Sequence, residues 1–209
     1  MTLARQINKA TIVKIARNSY SPKSSSMQYM ESMTESDVCL LLDFDSDVES
    51  YCTQPDSFHN ETNEPGWRRY TPDLLVKYKD GSFDFGEVKP EFKIKSEQFA
   101  HKHELHQRII QERTGHKLKL FTEPKVSQHK LTQCRQLKGY YHCELLPEVH
   151  EAVYAYLAEI DCAALSVIER LCVKHGAPNN YPMVMLAHQL LRCVEAEIIT
   201  RRTNVEVVS

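Results

Sequence analysis

The stretch from Tyr70 to Pro90 restricts this chain more than any other. It reads Tyr-Thr-Pro-Asp, a short apolar run, Lys79-Asp80-Gly81, a second strand-like run, and then Glu87-Val88-Lys89-Pro90. Two such runs around an Asp-Gly pair predict a β-hairpin, and loop parity then decides which side chains share a face. A two-residue Asp-Gly loop would pair Asp73 with Val88 and send Glu87 and Lys89 to the opposite side. A three-residue loop over Lys79-Asp80-Gly81, a type I turn closed by Gly81 in the left-handed bulge position, puts Asp73 opposite Glu87. Period-two alternation then brings Lys89 to the same face. Pro72 lacks an amide donor and suits an edge or an irregular strand start. Two carboxylates and a lysine on one face suit metal-dependent phosphodiester hydrolysis: the carboxylates hold divalent cations beside a phosphate, and the lysine orients or deprotonates the attacking water.

A bare Pro-Asp followed by Glu-x-Lys also occurs in ordinary hairpins with exposed ion pairs, so the surrounding order carries weight. The expected elements are a helix carrying Glu31 and Glu35, a strand from Val48 to Gln54, the hairpin, a helix beginning near Ser96, and a strand from Lys117 to Phe121. That α-β-β-β-α-β order is the core layout of restriction-endonuclease-like nucleases, a mixed α/β sheet flanked by helices. Helical spacing alone leaves Glu31 and Glu35 equivalent, because four residues apart they share a face with Val38 and Leu42.

The segments Thr34–Pro55, Tyr70–Gly81 and Gly86–Pro90 together resemble the TnsA family, the endonuclease subunits of heteromeric bacterial DNA transposons; the likeness runs from about Met30 to Gly139. The resemblance implies Glu35 as the helix-borne carboxylate, Asp73 and Glu87 as central metal ligands, and Lys89 as the catalytic lysine. Gln54 stands where the family keeps a Gln-Pro at a strand end. Some members carry Gln in place of the second carboxylate, where this chain has Glu87. The implied cofactor is Mg²⁺, replaceable by Mn²⁺, with two ions per site. The implied partners are transposon-end DNA, a DDE-type transposase (TnsB-like) and an AAA+ ATPase regulator (TnsC-like).

The chain has 209 residues, of which 42% are hydrophobic, enough for one medium domain or two small ones with real cores. No apolar run is long enough to span a membrane and no charged-then-apolar leader is visible, so a cytoplasmic protein is expected, nucleoid-associated when assembled on DNA. Its 7 cysteines form no Cys-x-x-Cys pair, which speaks against a disulfide framework or zinc finger and for reduced, mostly buried side chains.

A net charge of −2 hides a strong asymmetry. Residues 31–64 carry ten acidic side chains and no Lys or Arg, whereas residues 88–138 carry twelve basic against five acidic. The first stretch would surround metals; the second could meet phosphates through Lys93, Lys95, Lys102, Arg108, Arg113, Lys117 and Lys119. Residues 1–26, basic and Ser-rich towards the end, read as a mobile arm.

Other motifs fail on spacing. Asp43–Asp47 opens like a calcium loop, but Val48 and Gln54 occupy the positions that need glycine and glutamate, so it reads as a helix end. His103-Glu104-Leu105-His106 is one residue short of the zinc helix, and His101, His103 and His106 are expected on a polar helix face. No phosphate-binding glycine loop or serine nucleophile elbow is present, so any nucleotide-driven engine must be another subunit.

An endonuclease domain is therefore expected over 27–143 and a winged-helix-like domain over 144–209. The latter would have helices Glu148–Ile160, Ala163–His175 and Tyr181–Cys193, then a hairpin of Val194–Thr200 and Thr203–Val208. Its third helix is apolar and its charge acidic, which favours protein docking, with Arg201 and Arg202 at the wing tip as candidate phosphate contacts. The expectation is a Mg²⁺-dependent endonuclease subunit of a heteromeric transposase that cuts the 5′, non-transferred strand ends. The alternatives are a stand-alone restriction-like or junction-resolving nuclease, and a catalytically idle DNA-binding adaptor.

Overall fold

A computed structural model describes residues 17–59, 69–122 and 128–208. The chain divides into two compact units, Met1–Pro124 and Lys125–Ser209.

In the first unit, β1 (Arg17–Ser21) and β2 (Ser26–Met30) precede α1 (Met33–Asp43), β3 (Val48–Thr53), β4 (Phe58–His59) and β5 (Arg69–Tyr70). The hairpin strands β6 (Leu74–Tyr78) and β7 (Phe83–Val88) follow, then α2 (Glu91–Ile94), α3 (Glu97–Thr114) and β8 (Lys117–Phe121). The main sheet runs β3-β6-β7-β8, antiparallel through β7 and parallel between β7 and β8. A parallel neighbour requires a crossover, which α3 supplies.

Both faces of this sheet are covered, which explains why β6 reads Leu-Leu-Val rather than alternating with polar residues. Leu74 and Val76 pack with Val38, Cys39 and Leu42 of α1. Leu75 turns the other way, toward Phe85, Ile110 and Leu118. The hairpin register pairs Leu74 with Gly86 and Val76 with Asp84. Gly81 has φ +85° and its N–H bonds to the Tyr78 carbonyl at 3.0 Å, while Tyr78 N–H bonds to Ser82 at 2.9 Å. The three-residue loop read from the sequence is the one formed.

Local signals set the helices. Ser32 is the N-cap of α1 and accepts the Glu35 N–H at 3.2 Å, while Glu35 reaches back to the Glu31 N–H at 2.7 Å. This is a capping box shifted by one residue, the carboxylate taking the N–H just ahead of the cap. It corrects the expectation for Glu31, which lies ahead of the cap and not on the helix. Ser96 caps α3, and Gly115 at φ +74° ends it.

The expected basic arm is also corrected. Residues 1–16 lie outside the described residues, but Arg17–Ser26 belongs to the β1–β2 hairpin, tied to the domain by polar side chains. Ser21 donates to Asp43 at 2.7 Å, Lys23 to the Val48 carbonyl at 2.8 Å, and Ser24 bonds to the Tyr51 backbone.

In the second unit, α4 (Gln128–Leu137) and a 3₁₀ turn (Lys138–Tyr140) precede α5 (Pro147–Ile160), β9 (Ala163–Ala164), α6 (Leu165–Lys174) and α7 (Tyr181–Ala187). The chain then forms β10 (Leu191–Cys193) and β11 (Asn204–Val207), in an antiparallel sheet of order β10-β11-β9. Gln133 and Gln136 bond to the backbone of Ala196 and Ile199, fastening α4 to this unit. The division in packing therefore falls ahead of α4, whereas the boundary read at 143/144 lies inside the second unit.

Three details of this unit differ from expectation. Helix α7 stops at Ala187, since Gln189 takes φ +58°, and Leu191–Cys193 becomes a strand. The hairpin strands are thus 191–193 and 204–207, not 194–200 and 203–208. Arg201 and Arg202 sit in the turn leading into β11, with Arg201 bonded to Glu169 at 2.7 Å.

Cys39, Cys134 and Cys172 are buried, Cys52, Cys162 and Cys193 half-buried and Cys143 exposed, all as free thiols. No described helix is long and apolar enough to cross a membrane.

Candidate nuclease site

The β6–β7 register ends at Leu74–Gly86, and its parity places Asp73 and Glu87 on one face just beyond that pair. Backbone bonds hold Asp73 and Lys89 in place. Asp73 N–H bonds to the Gly86 carbonyl at 2.9 Å, and Gln54 N–H to the Asp73 carbonyl at 2.9 Å. Lys89 N–H bonds to Phe121 of β8 at 3.0 Å.

Side chains then converge as the alternation requires. Lys89 Nζ is 3.0 Å from Asp73 Oδ2, 3.5 Å from Glu87 Oε1 and 3.0 Å from the Val88 carbonyl. Asp73 Oδ2 also accepts the Val88 N–H at 2.8 Å. Burial alone would lower the lysine's pKa, but Asp73 and Glu87 outweigh it and hold the ammonium above its ordinary value.

Glu87 is almost enclosed, at 6% exposure. Burial pushes its carboxyl up, yet His106, His103 and Lys89 bring it down to about 2. It is ionised at neutral pH and can only accept hydrogen bonds. His103 Nδ1 lies 2.9 Å from Glu87 Oε2, and His106 Nδ1 lies 3.7 Å from the same oxygen, too far for a direct hydrogen bond. His106 is 2% exposed and stacks on Tyr70, with centroids 3.6 Å apart and planes at 22°.

These histidines give the expected polar helix face a specific partner. His101 is exposed, but His103 and His106, three apart on α3, look inward at Glu87. The i,i+3 spacing was the available signal, and its meaning depends on α3 crossing beneath β7.

Glu35 is placed differently. Burial first, then the charge of Asp73, raise its carboxyl above the ordinary range, so the two acids sense one another. Its oxygens are engaged by the Glu31 N–H at 2.7 Å and the Ser32 hydroxyl at 3.0 Å. The structure therefore joins Asp73, Glu87 and Lys89 directly, with Glu35 nearby and committed to its helix cap.

The donor chemistry fits a hard divalent cation. Asp73, Glu87 and the Val88 carbonyl already direct oxygens at one positive centre, the Lys89 ammonium. Among the described residues, no three His, Cys, Asp or Glu side chains converge closely enough to grip an ion as they stand.

Lys93, Lys95, Lys102, Arg108, Arg113, Lys117 and Lys119 are all exposed. Lys119 lies over the rings of Tyr78 and Phe121 at 5.7 and 5.5 Å.

A mixed sheet in this order, flanked by helices, with Asp73, Glu87 and Lys89 converging at its strand ends, fits the restriction-endonuclease-like fold. Residues 45–123 match the family described as TnsA-like endonuclease N terminal, which supports a TnsA-family endonuclease domain over this segment. The match contains Asp73, Glu87, Lys89 and both inward histidines; Glu35 precedes it. Comparison with curated proteins finds no match.

Proposed function

We propose that the chain is the Mg²⁺-dependent endonuclease subunit of a heteromeric transposase, cutting the 5′, non-transferred strand ends of the element. The observation that carries this reading is the convergence of Asp73, Glu87 and Lys89 inside a TnsA-like endonuclease domain. Asp73 and Glu87, with Glu35 released from its cap, would hold two Mg²⁺ or Mn²⁺ ions, which supply a water nucleophile at neutral pH and stabilise the leaving oxygen. Lys89, which the two carboxylates hold above its ordinary pKa, would counter charge developing on the phosphate. The exposed basic side chains of α2, α3 and β8 would meet the DNA backbone, giving salt-dependent affinity.

The second unit supports a docking role. Its helix, strand, two helices and hairpin, with sheet order β10-β11-β9, support a winged-helix-like reading. The helix a winged domain would present to a groove is α7, whose Tyr181, Val184, Met185 and Leu186 are buried. Arg201 is engaged by Glu169, which leaves exposed Arg202 as the freer candidate for a phosphate. A DDE-type transposase and an AAA+ ATPase are the proposed partners.

Strand-resolved mapping on element-end DNA tests this reading. Alone, the full chain should cut weakly; with both partners, breaks should appear at the 5′ ends at a rate at least about a hundredfold higher, in line with removing a conformational or positioning barrier of about 2.7 kcal/mol. Robust site-specific cutting by the isolated chain would replace this proposal with a stand-alone nuclease.

A further inference from the structure

Glu87 divides its two oxygens between different neighbours. Oε1 faces Lys89 at 3.5 Å, on the side of Asp73, while Oε2 faces α3, with His103 Nδ1 at 2.9 Å and His106 Nδ1 at 3.7 Å. Because the ionised carboxylate can only accept, Nδ1 of His103 must be the donor in the shorter contact. The His103 ring is itself held, lying nearly parallel to Phe99 at 5.5 Å and 14°. Behind it, His106 and Tyr70 form a buried stack against the same oxygen's surroundings.

We infer that His103 is a positioning residue of this site: its Nδ1–H fixes Glu87 Oε2 so that Oε1 alone is presented to the cation. The inference rests on the metal-dependent reading above. A carboxylate free to turn about its terminal torsion has a broad, roughly two-fold preference, so an unrestrained Glu87 would spend much of its time with neither oxygen aimed correctly. A donor fixed on a helix removes that freedom before the ion arrives. Partners of this kind behind a ligating group typically govern metal affinity by 10- to 100-fold. His106, stacked on Tyr70 and 3.7 Å from the same oxygen, closes the pocket behind it and also favours the ionised form of Glu87.

The test is calorimetric titration of the full chain with Mn²⁺ at fixed pH, on three variants shown folded by circular dichroism. His103→Ala should weaken Mn²⁺ binding about 10- to 100-fold. His103→Phe keeps the ring against Phe99 but has no donor, and should weaken it as much. His103→Asn, whose amide nitrogen can occupy the place of Nδ1, should recover most of the wild-type affinity. Wild-type affinity in His103→Phe, or Asn no better than Ala, would show that the ring merely packs and would overturn the positioning role. Absence of any Mn²⁺ isotherm from the wild-type chain would instead overturn the metal-dependent reading, and the inference with it.

Discussion

Asp73→Asn and Lys89→Met should each leave a folded protein that no longer cuts DNA strands. Asn keeps an oxygen for the Val88 N–H, now bonded at 2.8 Å, while removing the charge. Met keeps the length of the lysine stem without its ammonium. Loss of one fixed charge aimed at the reacting group typically costs about 10²- to 10³-fold. Asp73 also faces Lys89 at 3.0 Å and raises the Glu35 carboxyl, so its replacement disturbs more of the site and should take cleavage to background. The pair separates chemistry from folding, because neither change removes a buried apolar group. Single-turnover cleavage in the assembled complex, with circular dichroism as the folding control, reads the result. A folded variant that cuts within about tenfold of wild type, a barrier change of only ~1.4 kcal/mol, would remove that residue from the mechanism.

The second large effect should come from a residue with no polar group. Gly86 lies beside Glu87 in β7, where a Cβ would fall 2.8 Å from Phe121 Cε2 and 2.9 Å from Leu74 Cβ. The ring edge of Phe121 can turn aside, but Leu74 Cβ is anchored to the neighbouring strand. Gly86→Ala should therefore destabilise the nuclease unit by about 1–3 kcal/mol, and Gly86→Val by more. For a chain of this size, each kcal/mol corresponds to roughly 2–4 °C in melting temperature. Relief of the clash requires β6 and β7 to separate, which moves Asp73 from Glu87, so cleavage should fall together with stability. A melting temperature within about 1 °C of wild type for Gly86→Ala, well below the shift expected of overpacking, would mean that the strands accommodate a methyl group without strain.

Much of the site was legible because hairpin parity is discrete. Only an odd loop over Lys79-Asp80-Gly81 sets Asp73 against Glu87, and the Leu74–Gly86 pairing has that parity. The nuclease core was legible for a related reason: continuous apolar β6 and the capped helices α1 and α3 carry local signatures. What escaped depended on distant partners. The β1–β2 hairpin has little apolar content, and is held by Ser21 to Asp43 and by Gln28 to the Thr53 N–H at 2.9 Å, contacts that no local pattern encodes. Glu35 was singled out by resemblance, while its Ser32-x-x-Glu35 capping box, legible in principle, explains where it sits. The inward turn of His103 and His106 required knowing which face of α3 lies on β7. In the second unit, the left-handed Gln189 diverted a helical pattern into a strand.

The central claim is that Asp73, Glu87 and Lys89 form a metal-dependent nuclease site, and the metal series tests it most directly. Single-turnover cleavage of end-labelled element DNA would be measured in the assembled complex with Mg²⁺, Mn²⁺, Ca²⁺ or chelator alone. Mg²⁺ and Mn²⁺ should support breaks at the 5′ ends, because hard carboxylate oxygens with open water positions suit small octahedral ions. Ca²⁺, larger and less exacting in geometry, should bind without supporting turnover, and chelator should abolish cutting. Cleavage at the 5′ ends that persists in chelator, or that is unchanged when Asp73→Asn replaces the wild-type subunit, would contradict the claim.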